Sequence, residues 1–356
     1  MIEDDLRAAF ARHEPLIPPT GPLRAAIHRL ANGRRRRRRR WQAGGTALAV
    51  LGVLGIGVPL FTPERAGPPP VAELIGESGR PATTGAVTML LLGIDSNGPA
   101  TPLADSVLLL HIPADRSRPY LISLPRDLEV PIPGHGTDKL NAAFLLGASA
   151  NSDRTDLTRG YELTRRTVAE LTGIRTASGV VLTYPALGKL TDAVDGVRVC
   201  LPQQVRSIHT GRLFPVGCQR LDGAASVDLL RQRRGLPLGG QDRDHNARLY
   251  VAGLVDQAAK NGVLTNPVRL SALLGTAGSD LLVFPDRAAL LDVAQLVPTL
   301  RSVEPVGLSL PVVNASGPRY LLSPDPELAP EFLAALHEDR LGDWAARHPD
   351  LVDADR

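Results

Sequence analysis

From residue 87 onward, short apolar runs alternate with longer stretches of helical periodicity. VTMLLLGID, DSVLLLHIP and YLISLPRD are rich in Leu, Ile and Val and are bounded by Gly, Pro or Asp, the signature of buried strands. Short connections join the three, so they predict a consecutive antiparallel meander at one side of a sheet. Helical patterns follow, among them the almost wholly apolar LNAAFLL and the segment LDGAASVDLL, where Asp222 is placed to cap the first turn. Interleaved strands and helices predict a layered α/β fold and argue against a sandwich or a bundle.

An earlier segment follows a different pattern. Residues 43–61 hold no charge over 19 positions, a length that spans about 28 Å as a helix and matches the bilayer core. Seven consecutive arginines at 34–40 precede it, Glu64 follows it, and Trp41 and Phe61 stand at its two ends. Together they predict one transmembrane helix over 41–61, with residues 1–40 as a cytoplasmic leader and the main domain outside the cell membrane. The long leader, with no small-x-small site close behind the apolar stretch, disfavours a cleaved signal peptide. Residues 62–84, with Pro63, Pro68, Pro69, Pro70 and Pro81, read as a stiff stalk. Residues 85–341 read as one large domain and residues 342–356 as a solvated tail. The leader carries two short helical patterns, LRAAFARH and LRAAIHRL, and no recognisable chemistry.

Charge narrows the choice of partners. The net formal charge is +3, residues 1–33 balance, and the arginine run supplies seven positive charges, which leaves about −4 for everything beyond residue 40. A nucleic-acid binder carries its basic excess on the folded part, so no nucleic-acid partner is expected, and the run serves topology and contact with anionic membrane lipid. Of the basic residues only Lys139, Lys189 and Lys260 are lysines; the rest are guanidiniums able to grip phosphate at two points. Cys200 and Cys218, the only cysteines, fall outside the membrane where oxidation is permitted. A single disulfide is expected there, two buried thiols being the alternative.

In the predicted meander, the end of the first strand, the start of the second and the end of the third share one edge, which brings Asp95, Asp105 and Arg126 together. Two carboxylates beside a guanidinium suit a phosphate-bound Mg2+; they equally suit turn caps and a surface ion pair. Lys139 sits at the entrance of the apolar helix. Arg231 and Arg233 share one side if RQR is extended, and Arg243 returns beyond the GLPLGG bend. Several guanidiniums on one pocket match a diphosphate, whereas pairing with Asp242 and Asp244 would make the same stretch a solvated basic turn. Walker A, G-x-G-x-x-G, G-x-S-x-G and H-E-x-x-H patterns are absent from the sequence.

The segments LLLGID, ADSVLLL, ISLPRDLEVPIPG, TDKLNAAF, LDGAASVDLLRQRR and DRDHNAR resemble the LytR-CpsA-Psr (LCP) family over roughly residues 87–341, in the family's order. The resemblance implies a three-layer α-β-α domain with a central mixed sheet, held at the membrane by one helix. It implies transfer of a glycopolymer from a polyprenyl-diphosphate carrier onto peptidoglycan with Mg2+. Asp95 and Asp105 would hold the metal, and Asp95 would help to deprotonate the acceptor. Arg126, Arg231 and Arg233 would act at the diphosphate in catalysis, Lys139 and Arg243 would bind it, and the apolar helix would flank the lipid. Three positions depart from the family pattern: Leu103 replaces an arginine, Gly240 an acid and Ala247 a glutamine. Two activities therefore follow from the resemblance: a phosphotransferase, or an LCP-like protein that binds lipid-linked polymer or wall without turnover.

Overall fold

The computed structural model describes residues 84–95, 102–149, 156–176, 178–315 and 319–353. The leader, the expected membrane helix over 41–61 and the stalk up to residue 83 lie outside them. Among the described residues no helix is long and apolar enough to cross a membrane.

The chain opens with β1 (Val87–Ile94), β2 (Ala104–Ile112) and β3 (Tyr120–Ser123), then a ribbon of β4 (Glu129–Ile132) and β5 (Gly136–Lys139). Helices α1 (Leu140–Ala148) and α2 (Leu157–Thr172) lead to β6 (Ser178–Thr183) and α3 (Tyr184–Ala193). Next come β7 (Val197–Leu201), β8 (Val205–Arg206), β9 (Leu213–Phe214), β10 (Gly217–Leu221), α4 (Gly223–Leu230), α5 (Gly240–Lys260) and α6 (Pro267–Ala277). The chain continues through β11 (Leu281–Phe284), α7 (Arg287–Ala294), β12 (Val306–Ser309), β13 (Val312–Asn314), β14 (Leu322–Pro324), α8 (Leu328–His337) and α9 (Leu341–Arg347).

β1, β2 and β3 form the expected antiparallel meander, with Met89 opposite Leu110 and Leu109 opposite Ile122. It lies in the middle of a mixed six-stranded sheet rather than at one side: β6 runs parallel to β1, β12 parallel to β3, and β11 antiparallel to β6 at the far edge. Parallel neighbours return only after a long crossover, so these flanking strands have no local signal that ties them to the meander.

Period-two alternation then sorts the side chains. Leu90, Leu92 and Ile94, with Val107, Leu109 and Ile122, share one core with residues of α1, α2, α8 and α9. Met89, Leu91, Leu108, Leu110 and Leu121 instead line an apolar cavity with residues of α3, α5, α6 and α7. Helices therefore cover both faces of the sheet. The expected disulfide is present: Cys200 on β7 is bonded to Cys218 directly opposite on β10, and a closed loop of this length contributes about 3 kcal/mol by constraining the unfolded chain.

Residues 342–353 are not a solvated tail. Trp344 is fully buried and stands edge-on to Phe332, ring centres 4.9 Å apart. Val352 bridges Leu308, and the Asp353 N–H donates to the Gly307 carbonyl. The Asp353 carboxylate accepts from Arg248 Nε and Nη2 at 2.7 Å each and pairs with His245 Nδ1 at 2.8 Å. One buried indole and one partly buried ion pair anchor a segment whose polar composition argues for solvent.

Burial alone would raise the Asp353 carboxyl, but hydrogen bonds from Arg248 and His245 and the charge of Arg248 outweigh it and hold the carboxyl well below the usual carboxylate range. A depressed carboxyl stabilises the fold fully above its unfolded value of about 4, and that contribution is lost as pH falls toward the folded value. Asp353→Asn is therefore expected to lower stability by about 2 kcal/mol at neutral pH. It should also flatten the decline of the urea-unfolding midpoint below about pH 4, a comparison that checks both parts.

Candidate active site

Register places the site. Ile94, the last residue of β1, lies opposite Ala104 at the start of β2 and beside Thr183 at the end of β6. The neighbours of these residues, Asp95, Asp105 and Tyr184, therefore meet at one end of the sheet. Arg126 joins them from the turn after β3, where its carbonyl accepts from the Asn141 N–H at 3.1 Å. Asp95, Asp105 and Tyr184 border a cavity of about 430 Å3 whose lining also includes Ile208, His209, Arg231, Arg233 and Arg234, and Arg126 reaches it only through Asp105.

Asp105 is the hub. Its Oδ1 accepts from Arg126 Nη1 and lies 3.5 Å from Arg243 Nη1, and its Oδ2 is 3.4 Å from the Tyr184 hydroxyl. Burial, the largest influence, would lower Arg243, yet Asp244 (3.2 Å) and Asp105 together hold it above its ordinary value, so it stays charged. Arg126 is lowered, by burial first and then by the facing charge of Arg243. A carboxylate between two guanidiniums thus offsets a repulsion that would otherwise fall on buried groups. Burial and the nearby Asp105 carboxylate push the Tyr184 phenol up, so it remains a hydroxyl that donates.

The arginine fork is built on α4. Asp222 accepts from the Ala225 N–H at 2.7 Å, the cap read from the sequence, and the helix ends with Arg231 at its C-cap. Arg231 and Arg233 both line the cavity, while Gln232 between them is fully buried and donates to Ser207 Oγ at 2.9 Å. The Arg231 guanidinium stands 5.6 Å from the Tyr184 ring centre, a cation–π contact that steadies a long side chain.

Two basic residues point elsewhere. Lys139 Nζ donates to Asp127 Oδ1 at 2.7 Å and stands 5.8 Å from the Tyr320 ring centre. Arg243, 3% exposed, lies behind Asp105 and does not line the arginine-rich cavity. The departures from the family pattern have local accounts. A side chain at Gly240 would start 3.4 Å from Asp127 Oδ2, so Asp127 already brings an acid there. Ala247 lines the apolar cavity, where a glutamine would put an amide. Leu103 accepts from the Asp95 N–H through its carbonyl at 3.4 Å and brings no charge.

Sequence reasoning misses Tyr184, Arg234 and the apolar cavity. VVLTYPA does carry a signal for Tyr184: a β-branched run ending in Thr183, which caps α3 by accepting from the Ala186 N–H at 3.3 Å. The apolar α1 does not flank the apolar cavity; it packs in the opposite core through Leu140, Ala143 and Phe144. That cavity, about 310 Å3, instead opens between the sheet and α3, α5, α6 and α7 and shares Asp105 and Tyr184 with the arginine-lined one. Among the described residues no cluster of three or more His, Cys, Asp or Glu side chains is placed to hold a metal ion. Asp95 and Asp105 bring two carboxylates to one space, and a cation there would complete its shell with water and substrate oxygens, the habit of Mg2+.

Residues 71–326 match the LytR_cpsA_psr family. The chain is 32% identical over 227 residues to the cell wall biosynthesis protein LcpA of Corynebacterium glutamicum, which covers 54% of this chain and 43% of that protein. It is 29% identical over 191 residues to the polyisoprenyl-teichoic acid–peptidoglycan teichoic acid transferase TagU of Oceanobacillus iheyensis, covering 53% of this chain and 57% of TagU. The chain thus spans about half the length of these relatives. The crystal structure of B. subtilis TagV has the same fold, with a TM-score of 0.58 at 19% identity over 72% of this chain and 98% of that one. The family match takes in every strand from β1 to β14, and the chain belongs to the LytR-CpsA-Psr family.

Proposed function

We propose that this protein transfers a glycopolymer from a polyprenyl-diphosphate carrier to peptidoglycan during cell-wall assembly. One observation carries the proposal: an arginine-lined polar cleft and an apolar cavity share Asp105 and Tyr184 at their junction. A lipid-linked diphosphate is divided in the same way, with a hydrocarbon chain on one side of two phosphates. TagU, a relative, is named a polyisoprenyl-teichoic acid–peptidoglycan teichoic acid transferase. The membrane helix expected over 41–61 would hold the domain at the outer face of the membrane, where the carrier lies.

In this scheme the apolar cavity takes the start of the lipid chain, and Arg231, Arg233 and Arg234 face the diphosphate. A sugar hydroxyl of the acceptor attacks the phosphorus that bears the donor glycan. A new P–O bond forms, the bond to the bridging oxygen breaks, and polyprenyl phosphate leaves with the electron pair. Asp95 takes the hydroxyl proton. Catalysis of such a step rests on position and on charge neutralisation at the phosphoryl oxygens. Arg126 and Arg243 act through Asp105, which they orient and whose charge they balance. Asp95 and Asp105 would hold Mg2+, which when bound neutralises phosphate charge.

The test uses the full-length protein in detergent with Mg2+ and a polyprenyl-diphosphate saccharide. Turnover is expected. Donor binding without turnover, with turnover gained on Leu103→Arg, would instead assign an accessory protein that binds lipid-linked polymer and lacks one catalytic charge.

A further inference from the structure

We infer that a second groove beside the cleft, across the wall formed by His209 and Arg231, is the acceptor site, and that it binds the neutral glycan whose hydroxyl attacks the phosphorus. The inference rests on the function proposed above and adds to it the place and chemistry of the second substrate. The groove measures about 430 Å3 and shares Tyr184, His209 and Arg231 with the cleft; with the apolar cavity it shares only Tyr184. The cleft's walls toward the two neighbouring spaces therefore meet at Tyr184 and differ otherwise, with Asp105 toward the apolar cavity and His209 and Arg231 toward the groove. In-line displacement at phosphorus requires the entering and leaving oxygens on opposite sides. With the leaving lipid phosphate held toward the apolar cavity at Asp105, an entering hydroxyl has its approach across the other wall.

The groove's chemistry suits a sugar rather than an anion. Asp192 and Asp228 lie along it, and Arg231 on the shared wall is its one arginine, in contrast to the three arginines of the cleft. Its floor lies where α3 meets α4 at Gly188 and Gly223, so closely that a Cβ on Gly223 would come within 2.4 Å of the Gly188 carbonyl oxygen. Small residues there leave room for a broad, flat ring. The exposed Asp192 carboxylate already accepts from the Gly223 N–H at 2.7 Å and has further lone pairs for sugar hydroxyls.

The shared wall is braced. Ser207 Oγ and Thr210 Oγ1 both donate to the buried Asp228, and Ser207 Oγ in turn accepts from Gln232 Nε2 and from the His209 N–H. This network fixes the turn that presents His209 between the two spaces. A wall held in place positions an acceptor, since a small displacement of a reacting group costs orders of magnitude in rate.

Ala224 is exposed on the first turn of α4 and lines the groove but not the cleft. Ala224→Trp would fill the groove, and Ala224→Ser is the control that leaves it open. Two rates are read on the full-length protein: release of polyprenyl phosphate with water as acceptor, and transfer to uncrosslinked peptidoglycan strands. Ala224→Trp is expected to lower transfer by about tenfold or more while water-supported release stays within about twofold of the parent, and Ala224→Ser should match the parent in both. Unchanged transfer in Ala224→Trp would overturn the inference, and so would an equal loss of both rates, which would give the groove to the donor glycan. Should the parent turn over no donor, the proposed function fails, and equilibrium binding of labelled glycan strands decides the groove alone. Weaker binding in Ala224→Trp than in Ala224→Ser would support it, and equal binding would overturn it.

Discussion

Arg231→Ala is expected to lower donor turnover by about two orders of magnitude, the usual cost of removing one well-placed charge donor at a transferring group. Arg231 closes α4 at its C-cap, stacks near Tyr184 and lines the cleft between the two carboxylates and His209. Only part of its side chain is covered, and the backbone that carries it is capped by Asp222 and tied through Gln232. Its truncation should therefore leave the unfolding midpoint nearly unchanged. Arg231→Lys keeps the charge but loses the planar fork, and should recover only a small part of the rate. Steady-state release of polyprenyl phosphate beside a thermal melt separates these effects. A large stability loss would mean that Arg231 acts as a structural residue.

Asp105→Ala should do what Arg231→Ala does not: damage fold and activity together. Its carboxylate is the group toward which Arg126, Arg243 and Tyr184 converge, and Arg243 is almost completely buried. Without it, Arg126 and Arg243 would face each other across a space that solvent barely reaches. Breaking a buried pair from one side costs about 3–5 kcal/mol because the partner charge is left uncompensated. Asp244 stays beside Arg243 at 3.2 Å, which argues for the lower end of that range. Asp105→Asn retains the shape and one acceptor oxygen. It should recover part of the stability but none of the turnover, since the lost charge is one of the two that would hold the cation. Urea unfolding of both variants with matched turnover assays reads the two losses separately.

The fold was legible where the chain folds on its near neighbours. VTMLLLGID, DSVLLLHIP and YLISLPRD carry local apolar runs with short links, and these locate the meander and the approach of Asp95, Asp105 and Arg126. Tyr184 was hidden because its strand joins β1 in parallel, Ile94 beside Thr183, after a crossover with no local mark of its partner. The apolar cavity was hidden for another reason: Leu187, Leu254, Leu270 and Val293 line it, yet their spacing on helices is that of ordinary core residues. Charge reveals which residues are cationic but not where they point. Lys139 turns to Asp127 and Arg243 to Asp244 and Asp105, whereas Arg231 and Arg233 line the cleft on either side of a buried Gln232, with Arg231 in a helical conformation at the α4 C-cap rather than in an extended RQR. The chain end reads as solvated from its sequence because a single Trp344 and the Asp353–Arg248 pair anchor it, too little apolar surface to register as a pattern.

The products of one reaction decide which bond is cut. Full-length protein, Mg2+, a polyprenyl-diphosphate saccharide and uncrosslinked peptidoglycan strands are combined, and the lipid and glycan fractions are identified by mass. Attack at the sugar-bearing phosphorus predicts polyprenyl monophosphate in the lipid fraction and a glycan joined to the strand through one phosphate. Polyprenyl diphosphate with a glycan joined directly would mean cleavage at the sugar carbon, and would contradict phosphoryl transfer at the Asp95–Asp105–Arg231 cleft.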